Sequence, residues 1–134
     1  MRGMERKVNS PGMRQRGTVL VVDDEPSIRL LCKVNLEVEG YYVVEAGTLD
    51  EARDRLDEER VDVVLLDVHI AGEDGRAFLR ELRDRGPGPA VAYLSGSFDV
   101  ERGGEGADGV IAKPFQLEEL SQTVARLAEL APVG

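Results

Sequence analysis

Residues 18–26 read Thr-Val-Leu-Val-Val-Asp-Asp-Glu-Pro, and the change of character inside this stretch decides the fold. Thr18–Val22 is apolar without alternation, the pattern of a strand buried on both faces. Three acids follow at once. Pro26 then suits the first position of a helix, where a missing N–H costs nothing. A doubly buried strand passing through an acidic turn into a helix is one βα unit.

The same unit recurs outward along the chain. After Pro26, Ile28, Leu31, Val34 and Val38 fall at helical spacing, and Gly40 marks the stop. Tyr42–Glu45 forms a second strand. Thr48 and Glu51 have capping-box spacing ahead of a helix whose apolar stripe is Leu49, Ala52 and Leu56. Val61–Leu66 is a third strand running straight into Asp67. A loop containing Gly72 and Gly75 leads to a helix carrying Phe78, Leu79 and Leu82. Gly86-Pro-Gly-Pro89 breaks it, and Ala90–Leu94 is a fourth strand ending in Ser95. Residues 97–107 admit only a short helix, because Gly103, Gly104 and Gly106 penalise its second half. Val110–Ala112 is a fifth strand ending at Lys113-Pro114. Leu117, Leu120, Val124, Leu127 and Ala131 line one face of a last helix. The order (βα)₅ predicts an α/β fold, a three-layer sandwich around a doubly wound parallel sheet. Such crossovers are right-handed in about 98% of cases.

Composition agrees. A chain of 134 residues, 42% hydrophobic but only 4% aromatic and without Trp, suits one domain with an aliphatic core. The net charge of −9 is uneven: residues 1–16 hold five bases against Glu5, leaving −13 for the rest. An acidic body repels a phosphate backbone, so the expectation is no direct nucleic-acid binding by the domain. Cys32 is the single cysteine, so there is no internal disulfide or cysteine metal cluster. Its apolar neighbours mark it as a buried thiol. No apolar run reaches the roughly 18 residues of a membrane span, and the N-terminus lacks the apolar core of a signal peptide. The expectation is a cytoplasmic protein without membrane insertion. Residues 1–17 read as a flexible N-terminal extension, 18–131 as the domain, and 132–134 as the C-terminal end.

In parallel α/β sheets, ligands gather at the carboxyl ends of the strands, beside the point where the strand order reverses. There the first strand delivers Asp23 and Asp24, the third Asp67, the fourth Ser95 and the fifth Lys113. The second ends in Glu45-Ala46-Gly47 and offers nothing comparable. Two like charges about 5 Å apart repel by roughly 3 kcal/mol at an effective dielectric near 20. A cation between them or a retained proton relieves this. An all-oxygen set without paired His or Cys fits a hard divalent ion, and Mg²⁺ takes one or two carboxylates plus water and phosphate oxygen. Asp67 beside such an ion, a hydroxyl and an ammonium has what nucleophilic attack on phosphorus requires. Each residue also has a plainer reading: Asp23 and Asp24 as helix caps, Asp67 as a turn residue, Ser95 as a cap, Lys113 as a solvated charge.

The motifs VLVVDDEP (19–26), VVLLDVHIAGEDG (63–75), YLSG (93–96) and GADGVIAKPF (106–115) resemble the response-regulator receiver domain over residues 18–131. That resemblance implies a flavodoxin-like strand order 2-1-3-4-5 and a phosphoacceptor role for Asp67. Asp23, Asp24 and the His69 backbone carbonyl would hold Mg²⁺ with it. Ser95 would be the switch hydroxyl, Lys113 the phosphate-binding lysine, and the bond before Pro114 cis. Implied partners are a sensor histidine kinase or phosphotransfer protein, and downstream a protein partner or a second copy. The chain would catalyse only its own phosphorylation and dephosphorylation.

Two features depart from the family. Val110 stands where receivers commonly carry a switching Tyr or Phe, and the Ser95–Lys113 interval is about one helical turn short. Three other functions compete. A phosphohydrolase using an aspartyl phosphate usually has a second Asp two residues after the nucleophile, where this chain has His69. A flavin-binding module needs a Ser/Thr/Gly loop after the first strand for the phosphate. A receiver reduced to a protein scaffold would not need the full acid set and Lys113.

Overall fold

The computed structural model describes residues 16–96 and 106–130. Residues 1–15 of the expected extension, 97–105 of the short-helix segment and 131–134 lie outside them. In chain order the elements are β1 (Thr18–Val22), α1 (Pro26–Val38), β2 (Tyr42–Ala46), α2 (Leu49–Glu58), β3 (Val63–Asp67), β4 (His69–Ile70), β5 (Glu73–Asp74), α3 (Gly75–Asp84), β6 (Ala90–Gly96), β7 (Gly109–Lys113) and a last helix, α4 (Leu117–Ala128). Five strands form a parallel sheet in the order β2-β1-β3-β6-β7. Counting its strands along the chain, that order is the expected 2-1-3-4-5.

Strand alternation sends the apolar residues to both faces. Leu20, Val22, Val64, Leu66, Val91 and Tyr93 join Leu49, Ala52, Phe78, Leu79 and Leu82 under α2 and α3. Val19, Val21, Leu65, Ala92, Leu94 and Ile111 join Cys32, Leu36, Leu120, Val124 and Leu127 under α1 and α4. Cys32 is buried, and desolvation, aided by the charge of Asp23, pushes its thiol up to about 12.

The stripe expected on α1 is corrected. The face against the sheet is Ile28, Cys32 and Leu36, whereas Leu31, Val34 and Val38 are 41%, 54% and 78% exposed. This helix carries two apolar arcs, and periodicity cannot choose between them. The short acidic turn from β1 sets the helix's rotation and so decides which arc meets the sheet. Leu117, expected in the α4 stripe, is likewise exposed at the helix's first residue.

The loop after Asp67 is also more ordered than its sequence suggests. β4 and β5 pair antiparallel, His69 with Asp74 and Ile70 with Glu73. Ala71 and Gly72 at the tip both have positive φ, 50° and 81°, the backbone of a two-residue hairpin turn. Thr48 Oγ1 accepts the Glu51 N–H at 3.1 Å, while the Glu51 carboxylate takes the N–H of Gly47 at 2.7 Å. The capping box is thus displaced by one residue on its return arm.

Arg53 ties α2 to α3 by a two-pronged bond to Glu81, at 2.8 and 2.9 Å, with its guanidinium 5.4 Å from the Phe78 ring centre. The hydrogen bonds from Arg53 hold the Glu81 carboxyl below its usual range. Both side chains are about one-third exposed, so solvent screening keeps the pair modest. A double-mutant cycle with Arg53→Ala and Glu81→Gln, read by urea unfolding, is expected to give a coupling of about 0.5–1 kcal/mol. A coupling near zero would make the contact incidental.

Candidate functional site

β2 and β3 flank β1, with Val22 registered to Ala46 on one side and to Leu66 on the other. The chain therefore leaves the ends of β1 and β3 in opposite directions, and Asp23 and Asp67 stand side by side at the opening. Parallel register brings the end of β7 to the same rim, with Lys113 beside Gly96 and Ala112 beside Ser95.

Asp23 is fully buried. Its Oδ1 accepts the Glu25 N–H at 2.9 Å and its Oδ2 accepts from Lys113 Nζ at 2.7 Å. Its main chain is held as well: the N–H donates to Ala46 O at 3.1 Å, and the carbonyl accepts from Arg29 Nη1 at 2.6 Å. Arg29 Nε in turn donates to Glu45 Oε1 at 3.2 Å. Asp24 is exposed and its Oδ2 accepts the Ala71 N–H at 2.9 Å. Asp67, 8% exposed, accepts the His69 N–H on Oδ1 at 3.2 Å, and its Oδ2 lies 3.6 Å from Lys113 Nζ. One carboxylate oxygen from each of Asp23, Asp24 and Asp67 lies within 4.8 Å of the others.

These contacts set the charges. Desolvation, reinforced by Asp23, raises the Asp67 carboxyl from 3.8 to about 6, against the opposing pull of Lys113 and the His69 N–H. Burial alone would depress Lys113, but its hydrogen bond to Asp23 and the charges of Asp23, Asp67 and Glu25 outweigh that and hold it above its ordinary value. Since the folded-state value of Asp67 exceeds the unfolded one, protonated Asp67 favours the fold. That stabilisation is complete below about pH 4 and lost as pH rises through about 6. In a chelator, urea unfolding across pH 4–7 should therefore show a decline that Asp67→Asn flattens. Parallel profiles for the two proteins would refute it.

The structure brings four of the expected residues together: Asp23, Asp24, Asp67 and Lys113. Ser95 stands at the same rim, buried, with its hydroxyl donating to the Gly96 carbonyl at 3.2 Å. His69 lies on the hairpin with its side chain outward and its N–H on Asp67. The bond between Lys113 and Pro114 is cis. Val110 is half-buried on β7, registered to Tyr93 of β6, whose ring is buried. The capping alternative for the acid pair fails: the N-cap of α1 is Glu25, without a side-chain cap bond.

Three site residues escape sequence reasoning. Arg29, on α1, reaches the Asp23 carbonyl, and Glu45, at a strand end that offers no obvious chemistry, holds the Arg29 guanidinium. Gly75 is the third: a Cβ there would collide with the Asp67 carbonyl oxygen, and its N–H donates to Val68 O at 2.6 Å. The place of that glycine in the VVLLDVHIAGEDG stretch (63–75), shortly after Asp67, is the signal the sequence offers.

The model of the response regulator receiver domain matches residues 19–125. Among solved structures, the receiver domain of NtrX from Brucella abortus is 31% identical with a TM-score of 0.79, over 84% of this chain and 99% of that one. A longer NtrX chain is 32% identical with the same TM-score, and this chain spans only 27% of it. TrrA from Thermotoga maritima, solved with Mg²⁺ and BeF, is 32% identical with a TM-score of 0.76, over 83% of this chain and 98% of that one. With residues 19–125 matched by the family model and its fold shared with these receiver domains, the chain belongs to the response-regulator receiver-domain family, the phosphoacceptor modules of two-component signalling.

Proposed function

We propose that Asp67 accepts a phosphoryl group from a phosphohistidine of a sensor kinase or phosphotransfer protein, in a Mg²⁺-dependent step. The observation that carries this is the convergence of three carboxylates with Lys113 at the carboxyl rim of the sheet, which leaves Asp67 without a full neutralising partner. Lys113 is committed to Asp23 at 2.7 Å and stands 3.6 Å from Asp67.

The residues fit a hard divalent cation. The donors are all oxygen, three anionic groups lie within reach of one point, and a single lysine does not balance them. Asp23, Asp24 and Asp67 would hold Mg²⁺ with the His69 carbonyl. When bound, the ion supplies charge neutralisation for the carboxylates and the incoming phosphoryl oxygens. In the transfer, an Asp67 oxygen bonds to phosphorus while the P–N bond of the donor breaks and its electron pair leaves with the imidazole nitrogen. Asp67 is ionised above about pH 6, so no base is needed. Lys113 lies within reach of the transferred group's charge. The Ser95 hydroxyl, turning from the Gly96 carbonyl, would donate to a phosphoryl oxygen. The activity is confined to the domain's own aspartate.

Incubation with Mg²⁺ and acetyl phosphate should add one hydroxylamine-labile phosphoryl group by intact mass, and a chain that stays unmodified would refute the reading. Mg²⁺ should also raise the melting temperature, because an ion bound only by the folded state at ten times its Kd stabilises by about 1.4 kcal/mol. Asp24→Ala should remove that response. An undiminished Mg²⁺ effect in this variant would place the ion elsewhere.

A further inference from the structure

The first turn of α1 carries a guanidinium that reaches the main chain of the acid pair rather than a carboxylate of it. Arg29 Nη1 donates to the Asp23 carbonyl at 2.6 Å while Nε donates to Glu45 Oε1 at 3.2 Å. A planar fork used in two directions is fixed in orientation as well as position. Its seat is tight: a Cβ on Gly47 would lie 3.0 Å from Nη1. Across the same segment the Asp23 N–H is bound to Ala46 O at 3.1 Å, so β2 and α1 grip this residue's backbone from both sides.

The carbonyl that Arg29 binds belongs to the Asp23–Asp24 peptide. Fixing that plane fixes the direction in which Asp24 leaves the chain. The Asp24 side chain is exposed and is otherwise held through the Ala71 N–H. Three like charges favour a splayed arrangement in which Asp24 turns outward, and a hydrogen bond on the intervening carbonyl opposes that rotation. Arg29 touches none of the reacting atoms.

We propose that Arg29, braced by Glu45, is a positioning residue of the metal site that holds the Asp23–Asp24 peptide so that both carboxylates meet one divalent cation. The inference rests on the Mg²⁺ reading given above.

The test is calorimetric titration of MgCl₂ into the full chain, with circular dichroism confirming that each variant is folded. Outer-shell partners of metal ligands are typically worth about 10–100-fold in metal affinity, so Arg29→Ala should raise the Mg²⁺ Kd by about tenfold or more. Arg29→Lys keeps the charge but cannot serve carbonyl and Glu45 together, so its Kd should fall between the two. The loss should persist in about 1 M inert salt, where exposed charges are screened beyond about 3 Å. A loss that vanishes in salt would mean a field effect and would overturn positioning. So would a Kd for folded Arg29→Ala within twofold of the parent. If Arg29→Ala does not fold, a parental Kd for Arg29→Lys overturns the proposal and a raised one supports it. A parent chain that fails to bind Mg²⁺ would overturn the metal site itself, a result distinct from parental binding that is indifferent to Arg29.

Discussion

Asp67→Asn is expected to abolish the phosphoryl adduct formed with Mg²⁺ and acetyl phosphate. This is expected to be a complete loss rather than a partial one, because the substitution removes the nucleophile and changes little else. Asparagine keeps the volume and leaves a carbonyl oxygen to accept the His69 N–H now bound at 3.2 Å. Its amide carries no charge and does not attack phosphorus. The neighbouring acids are poor substitutes. Asp23 is fully buried with its two oxygens engaged by the Glu25 N–H and Lys113. Asp24 is tethered to Ala71. An adduct of undiminished yield, mapped to either of them, would reassign the acceptor. The same variant should be more stable than the parent at neutral pH without metal, since a carboxylate that titrates near 6 is charged there against its surroundings.

Lys113→Met is expected to cost about 3–5 kcal/mol of stability in a chelator at neutral pH, the usual penalty for leaving a buried charge without its partner. Asp23 is fully buried, and the Lys113 side chain is 20% exposed, so water screens the pair weakly. Methionine preserves much of the chain's length while removing the ammonium, which separates lost charge from lost packing. Two recoveries should follow. Mg²⁺ should restore part of the stability by entering between the carboxylates. Lowering the pH below about 6 should restore part by protonating Asp67. Urea unfolding under the three conditions measures all of it. A loss under about 1 kcal/mol in chelator would show that the carboxylates are compensated by something other than Lys113.

The strands and the site were legible for one reason. A strand buried on both faces has no polar alternation, so each apolar run and the polar residue ending it stand out. Thr18–Val22 with Asp23 and Asp24, and Val61–Leu66 with Asp67, show this. The fifth strand, read as Val110–Ala112 before Lys113, is an apolar run although only Ile111 of it is buried. Strand order then brings their ends to one rim. The 69–74 hairpin was not legible. Its two pairs are too short to make a pattern, and Ala71 is an unusual residue for positive φ. Its N–H is held by Asp24, a partner 47 residues away in the chain.

The sequence by itself determined the succession of the five sheet strands, the parallel sheet and which acids, hydroxyl and lysine share the carboxyl edge, because these depend on local periodicity and on handedness rules that hold for nearly all βα units. Only the tertiary structure decided three further things. The rotation of α1 chose Cys32 and Leu36 over Leu31 and Val34, since a helix with two apolar arcs takes its phase from the turn that precedes it. Register placed Tyr93 beside Val110, so the position that lacks an aromatic residue has one on the neighbouring strand. Charge state depended on enclosure: Asp67 and Asp24 are the same residue type in the sequence, yet burial raises the first to about 6 while the second stays exposed. How far water reaches each of these carboxylates belongs to the packed fold, and the residues beside them in the chain do not encode it.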